Sequence, residues 1–115
     1  MARILVIDDE DQIRRILRRA LESEGHEVIE ARHGKEGLSL QRIRSADLVI
    51  TDICMPETDG VDVIAALQRE SPRMRVIAIS GQSLDVPQAI GVYATLQKPF
   101  EIEAMLRTVE LALAA

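Results

Sequence analysis

The chain has 115 residues, of which 47% are hydrophobic and 2% aromatic, and its formal net charge is −5. This length fits a single domain, and an acidic domain is a poor candidate for sequence-independent binding to nucleic acid or to a membrane surface. The single cysteine, Cys54, excludes an internal disulfide bond, and no apolar run approaches the ~18 residues of a membrane span. We therefore expect one cytoplasmic domain over residues 1–115, with no output domain.

Strand-like apolar runs alternate with segments of helical periodicity. The predicted strands are residues 3–7, 27–31, 47–51, 75–79 and 94–97. The predicted helices are residues 11–24, 34–44, 61–69 and 101–112. This alternation predicts an α/β fold with a doubly wound, five-stranded parallel sheet. Between the fourth and fifth strands, residues 81–93 contain Pro87 and leave room for about two helical turns before Gly91, so a shortened or irregular fourth helix is expected there.

The helices should turn their apolar positions towards this sheet. These positions are Ile13, Ile16, Leu17, Ala20 and Leu21 in the first helix, Leu38 and Ile43 in the second, Val61, Ile64, Ala65 and Leu67 in the third, and Ile102, Met105, Leu106 and Val109 in the last. Asp11 is expected to cap the start of the first helix, and Gly25 is expected to end it.

Charged and polar side chains follow the predicted strands. Asp8 and Asp9 follow the first strand, Asp52 the third, Ser80 the fourth and Lys98 the fifth. If the strands that end in carboxylates and lysine lie side by side, these groups meet at one edge of the sheet, where open α/β sheets bind ligands. Carboxylates there need compensation, which one lysine and a hard cation such as Mg²⁺ would supply. With Asp52 as a nucleophile, this is a phosphoryl-transfer site.

Four sequence strings occur in order at strand spacing. They are Ile-Leu-Val-Ile-Asp-Asp-Glu at 4–10, Leu-Val-Ile-Thr-Asp-Ile-Cys-Met-Pro-Glu-Thr-Asp-Gly at 48–60, Ile-Ser-Gly at 79–81 and Lys-Pro-Phe at 98–100. With these strings the chain resembles a response-regulator receiver domain over essentially its full length. The resemblance implies a flavodoxin-like fold, in which a strand–helix unit is repeated five times.

The resemblance also implies roles for the residues of the site. Asp52 would accept a phosphoryl group from a histidine kinase or a phosphotransfer protein. Mg²⁺ would be held by Asp8, Asp9, Asp52 and the backbone carbonyl of Cys54. Such a domain is a phosphoacceptor that promotes its own phosphotransfer and dephosphorylation, not an enzyme. It signals by contact with a downstream protein, and some members form homodimers.

Ser80 and Lys98 would contact the phosphoryl group, and the resemblance implies a cis peptide bond between Lys98 and Pro99. One position departs from the family pattern. Thr95 stands where the family has an aromatic residue that changes rotamer on activation. Tyr93 lies two residues earlier and would share its face of a strand, so it is a candidate substitute.

The first helix carries a run of arginines with two open interpretations. Arg14, Arg15, Arg18 and Arg19 would form one basic face. This face is either solvated and balanced by neighbouring glutamates, or it is a docking surface for the kinase, as the resemblance implies.

Two other functions compete with that of a phosphoacceptor. A pseudo-receiver would use the fold as a phosphorylation-independent adaptor; Thr95 and the short segment 81–93 favour it, whereas the intact acidic pair and Lys98 argue against it. A phosphate-ester hydrolase would need a general acid two residues after Asp52, where Cys54 stands.

Overall fold

The computed structural model describes residues 1–53, 60–81 and 91–115, and the side chain of Val61 lies outside this description. The predictions for Cys54 and for a shortened helix within 82–90 therefore fall outside the described residues.

Five parallel strands form one sheet. They are β1 (Arg3–Ile7), β2 (Glu27–Ala31), β3 (Leu48–Asp52), β4 (Arg75–Ser80) and β5 (Ala94–Gln97), in the order β2-β1-β3-β4-β5. The described residues also form four helices: α1 (Asp11–Ser23), α2 (Gly34–Ile43), α3 (Gly60–Glu70) and α4 (Ile102–Ala114). None of these helices is long and apolar enough to cross a membrane. The predicted doubly wound parallel sheet is confirmed.

The sheet separates two apolar layers. Along β1, Ile4 and Val6 pack with α1 and α4, whereas Leu5 and Ile7 pack with α3 on the other face. Side chains that alternate between faces in this way give a strand that is apolar throughout. All five residues of β3 are buried, including the polar Thr51 and Asp52 at its end. The interior therefore extends to the edge of the sheet where the acidic residues lie.

Helix α2 approaches β1 closely at Gly37. A Cβ atom at this position would lie 2.8 Å from Cγ1 of Ile7 and closer still to its Cδ1. Only a residue without a side chain leaves room for Ile7, which is fully buried and directly precedes Asp8. This contact ties the packing of α2 to the end of β1.

The start of α1 differs from the prediction. Glu10 occupies the N-cap position, and Asp11 is the first helical residue, with its side chain paired to Arg14. The predicted role of Asp11 as the cap is therefore wrong. At the other end, Glu24 is the C-cap and Gly25 follows with φ 87°, so the prediction that Gly25 ends the helix is confirmed.

Four residues predicted to face the sheet are exposed instead: Ile16 (39%), Ile43 (75%), Ile102 (37%) and Ala65. Two of them are terminal residues, because Ile43 ends α2 and Ile102 begins α4. In α1, the buried side is formed by Leu17 and Leu21 together with Arg14, which leaves Ile16 outside it.

Candidate functional site

The first half of the site is set by the register between β1 and β3. Ile7 pairs with Thr51, so the next residues, Asp8 and Asp52, lie side by side where the two strands end. The chain leaves β1 for β2 on one side and returns to β3 on the other. Asp8 and Asp52 thus occupy the point at which strand order reverses, the usual ligand position in such sheets.

The second half of the site comes from β4 and β5. Ser80 pairs with Gln97, and the backbone N–H of the next residue, Lys98, donates to the Ser80 carbonyl at 2.7 Å. The Lys98–Pro99 peptide bond is cis, as the sequence resemblance implies. Because β4 lies between β3 and β5, the strands of Asp52 and Lys98 are not neighbours, and the lysine side chain spans the end of β4.

Four acidic residues converge at this edge. Asp8, Asp9, Glu10 and Asp52 each place a carboxylate oxygen within 4.8 Å of the others. Asp8 and Asp52 are buried, whereas Asp9 and Glu10 are exposed. The sequence prediction included the three aspartates but gave Glu10 no role, although it directly follows them in the string Asp-Asp-Glu. This cluster can hold a metal ion.

Lys98 supplies positive charge at the centre of the cluster. Its Nζ atom lies 2.7 Å from Glu10, 3.1 Å from Asp52 and 3.2 Å from Asp8. Burial disfavours the charged ammonium group, but hydrogen bonds to Glu10 and Asp52 and the charges of Asp8 and Asp52 outweigh it. Together they raise the pKa of Lys98 above its ordinary value. One ammonium group therefore faces three carboxylates.

The buried position of Asp8 disfavours its ionised form. Burial raises the pKa of Asp8 to about 6, and the charge of Asp52 also raises it. A hydrogen bond from the Glu10 backbone and the charge of Lys98 lower the pKa but do not cancel the rise. The Glu10 N–H donates to Oδ1 at 2.9 Å. Oδ2 is buried and accepts no hydrogen bond from the described residues, although it forms an ion pair with Lys98 Nζ at 3.2 Å.

An unsatisfied buried carboxylate oxygen beside two further aspartates is a donor set that suits a hard divalent cation. The residues present at this edge therefore fit Mg²⁺, which was predicted from the sequence. Of the predicted ligands, Asp8, Asp9 and Asp52 are brought together, whereas Cys54 lies outside the described residues.

Behind the acidic edge, Arg14 is an interior residue. Its guanidinium group donates to the Asp8 carbonyl oxygen at 2.6 Å and pairs with Asp11 and Glu30. The prediction that Arg14 belongs to an open basic face is wrong, because its side chain is only 8% exposed. Instead, Arg14 ties α1 to the segment that carries Asp8.

The remaining arginines of that run lie at the surface. Arg18 pairs with Glu22 and Glu30, which agrees with a solvated, charge-balanced face. Arg15 and Arg19 are exposed. The proposed role of this face in docking stays a prediction.

Ser80 is buried at the end of β4, in line with its predicted place at the site. Tyr93, which is 43% exposed, and Thr95 both face solvent, as expected for alternate residues of an extended segment. Their part in switching stays a prediction.

Comparison with known sequences places these features in a family. Residues 4–110 match the response regulator receiver domain. The chain is 34% identical to the transcriptional regulatory protein GlrR of Escherichia coli K12, over 97% of this chain and 26% of GlrR. It is 37% identical to the transcriptional regulatory protein PdtaR of Mycobacterium tuberculosis, over 96% of this chain and 56% of PdtaR. The chain thus spans only part of the length of these relatives.

Solved structures agree with this match. A receiver domain from Clostridium thermocellum superposes with a TM-score of 0.89 at 34% identity, over 99% of this chain and 95% of that chain. A CheY-like receiver domain from Methanospirillum hungatei superposes with a TM-score of 0.92 at 26% identity, over 99% of this chain and 94% of that chain. On the strength of its sequence, its sheet order and its acidic edge, this chain belongs to the response regulator receiver domain family.

Proposed function

We propose that the domain accepts a phosphoryl group on Asp52, in a reaction that depends on Mg²⁺, from the phosphohistidine of a histidine kinase or a phosphotransfer protein. The observation that carries this proposal is the position of the Lys98 ammonium group between the buried carboxylates of Asp8 and Asp52. This arrangement brings together a nucleophile in Asp52, a cation in Lys98 that can bind the transferred oxygens, and a second carboxylate in Asp8.

In the proposed reaction, a carboxylate oxygen of Asp52 attacks the phosphorus atom of the donor. The bond between phosphorus and the imidazole nitrogen breaks, and its electron pair stays with that nitrogen. The product on this chain is an acyl phosphate. Lys98 and the Ser80 hydroxyl group would donate hydrogen bonds to the phosphoryl oxygens, and the charge of Lys98 would offset theirs.

Asp8, Asp9 and Asp52 would hold the metal ion, together with the Cys54 carbonyl that the sequence resemblance implies. When bound, Mg²⁺ supplies charge that neutralises the transferred oxygens. The ion would also compensate the buried Oδ2 atom of Asp8, which accepts no hydrogen bond from the described residues.

The proposal makes the domain a phosphoacceptor and not an enzyme that turns over a free substrate. The phosphoryl group stays on Asp52 until the domain promotes its hydrolysis. Receiver domains of response regulators interact with histidine kinases and downstream effectors, and we propose both partner classes here. We also propose that the domain is cytoplasmic, that it signals by contact with another protein and that it can form homodimers. Nucleic acid is not a proposed partner, because the net charge of −5 disfavours binding to a polyanion.

Acetyl phosphate tests the proposal without a kinase. The intact mass of the protein should increase by one phosphate with Mg²⁺ and not with EDTA, and Asp52→Asn should abolish the increase. Asp47→Asn is the matched control, because Asp47 precedes the opposite end of the same strand. If no condition adds phosphate to the wild type, the pseudo-receiver adaptor replaces this proposal.

A further inference from the structure

Glu10 contacts the lysine of the site but has no part in the phosphoryl transfer proposed above. We propose that Glu10 holds Lys98 in the unphosphorylated domain and competes with the incoming phosphoryl group for its ammonium group. Glu10 is then a positioning residue that limits how readily Asp52 is loaded. This inference rests on the proposed function and adds a restraint to it.

Among the described residues, this is the shortest of the three contacts that Lys98 makes with carboxylates. Its 2.7 Å separation compares with 3.1 Å to Asp52 and 3.2 Å to Asp8. The two residues are 88 positions apart in the chain, so the contact links the start of α1 to the end of β5. The Glu10 backbone is held in place by its hydrogen bond to Asp8 Oδ1, and the side chain alone reaches Lys98.

The three carboxylates differ in how easily they can release the lysine. An ammonium group has three N–H donors, and three carboxylates lie around this one. All three lie within 3.2 Å of Nζ, so a phosphoryl oxygen that approaches Lys98 competes with them for the ammonium group. Asp8 and Asp52 are buried, and an unpaired charge there is costly, whereas the Glu10 side chain is 57% exposed and can turn into water.

Electrostatic repulsion also favours Glu10 as the carboxylate that is displaced from Lys98. A phosphoryl group brings negative charge to within a few ångströms of Glu10, and like charges at that range repel one another. Replacing Glu10 with glutamine keeps its size and leaves an acceptor for Lys98, but it removes that repulsion and weakens the hold. Because an exposed ion pair contributes little free energy, we expect the affinity for a phosphoryl group to change by about two- to five-fold.

Beryllofluoride, a phosphoryl analogue, tests the competition in the presence of Mg²⁺. We expect Glu10→Gln to bind it about two- to five-fold more tightly and to take phosphate from acetyl phosphate faster by a similar factor. Glu24→Gln is the matched control, because it makes the same change in net charge at an exposed residue at the far end of α1.

The two lysines of the chain, Lys35 and Lys98, give a direct readout by NMR of their ¹³Cε atoms. Lys35 is exposed on α2 and serves as the internal reference. In the resting protein, Glu10→Gln should shift the Lys98 signal and leave the Lys35 signal in place. In the beryllofluoride complex, the Lys98 signals of wild type and variant should coincide, since Glu10 has by then left the lysine.

Each other result overturns the inference in a distinct way. If the wild type binds beryllofluoride and Glu10→Gln binds it no better than Glu24→Gln does, Glu10 is not a competitor, and the proposed function stands. If Glu10→Gln loses as much Mg²⁺ affinity in calorimetry as Asp9→Asn, Glu10 is a metal ligand instead. If the wild type binds Mg²⁺ but neither beryllofluoride nor phosphate, the proposed function fails and this inference fails with it.

Discussion

The Asp8 side chain is buried, and its negative charge is offset by the ion pair with Lys98. Its folded-state pKa of about 6 lies above the ordinary value of 3.8, so the folded domain binds this proton more tightly than the unfolded chain does. The stabilising contribution of this group is therefore complete below about pH 4 and is lost as the pH rises through about 6. At neutral pH the ionised carboxylate destabilises the metal-free fold.

Replacing Asp8 with asparagine should stabilise the metal-free domain for this reason. We expect a gain in the free energy of unfolding of about 1–3 kcal/mol near pH 7.5 that shrinks towards pH 4. Urea unfolding in EDTA at both pH values measures it, and Asp62→Asn on the exposed side of α3 is the control for net charge. A less stable Asp8→Asn at neutral pH would show that the ion pair with Lys98 outweighs the cost of burial.

The sequence predicted the aspartates and Lys98 because each ends a strand that is recognisable by its apolar run. It could not place Glu10 or Arg14 in the same way. Both residues lie in the stretch 8–15, where every side chain except Ile13 is charged or polar and therefore compatible with solvent. Only the tertiary fold turns Glu10 towards Lys98, 88 positions away, and Arg14 into the interior against the Asp8 carbonyl.

At the scale of secondary-structure elements, a substitution at Gly37 tests whether α2 must pack closely against β1. In Gly37→Ala, the added methyl group would overlap Ile7, and either the helix or the isoleucine must move. We expect a loss in the free energy of unfolding of about 1–3 kcal/mol, although alanine favours helices. Denaturant unfolding measures it.

The matched control is Ser39→Ala, an exposed position on the same helix, which should leave stability unchanged or slightly higher. If Gly37→Ala matched this control, Ile7 would have a second rotamer available, and α2 would not constrain the end of β1.

Strands and helices were predictable to different degrees. Each strand was placed to within one residue: β1, β2 and β5 have the predicted bounds, and β3 and β4 differ from theirs by one residue at one or both ends. The inward face of a helix depends on its phase, which is least determined at the termini, where Ile43 and Ile102 proved exposed. The N-cap of a helix is a single residue, so an error of one position is enough to assign it wrongly. The N-cap of α1 is Glu10 and not Asp11.

At the scale of the whole molecule, the proposed metal site would couple ion binding to folding. Its aspartates lie at the ends of β1 and β3, which are neighbours only in the folded sheet, so an ion that binds them would stabilise the folded state by mass action. Because the ion needs ionised Asp8, this stabilisation should be strong near pH 7.5 and fade as the pH falls through about 6.

Thermal unfolding with and without Mg²⁺ at several pH values tests this coupling. We expect the midpoint to rise with Mg²⁺ at neutral pH, to rise little near pH 5 and to respond to Mg²⁺ at neither pH in Asp8→Asn. An equal rise in the variant would mean that the ion binds elsewhere on this acidic chain.

Lys98 follows β5, the last strand in the chain, and this position has a consequence during protein synthesis. Synthesis runs from the amino terminus, so the carboxylates at residues 8–10 and 52 leave the ribosome well before Lys98. A nascent or truncated chain that ends before β5 contains Asp52 but lacks the ammonium group that offsets its neighbours. On the function proposed above, competence to accept a phosphoryl group therefore arrives with β5, and incomplete products of translation would not be loaded.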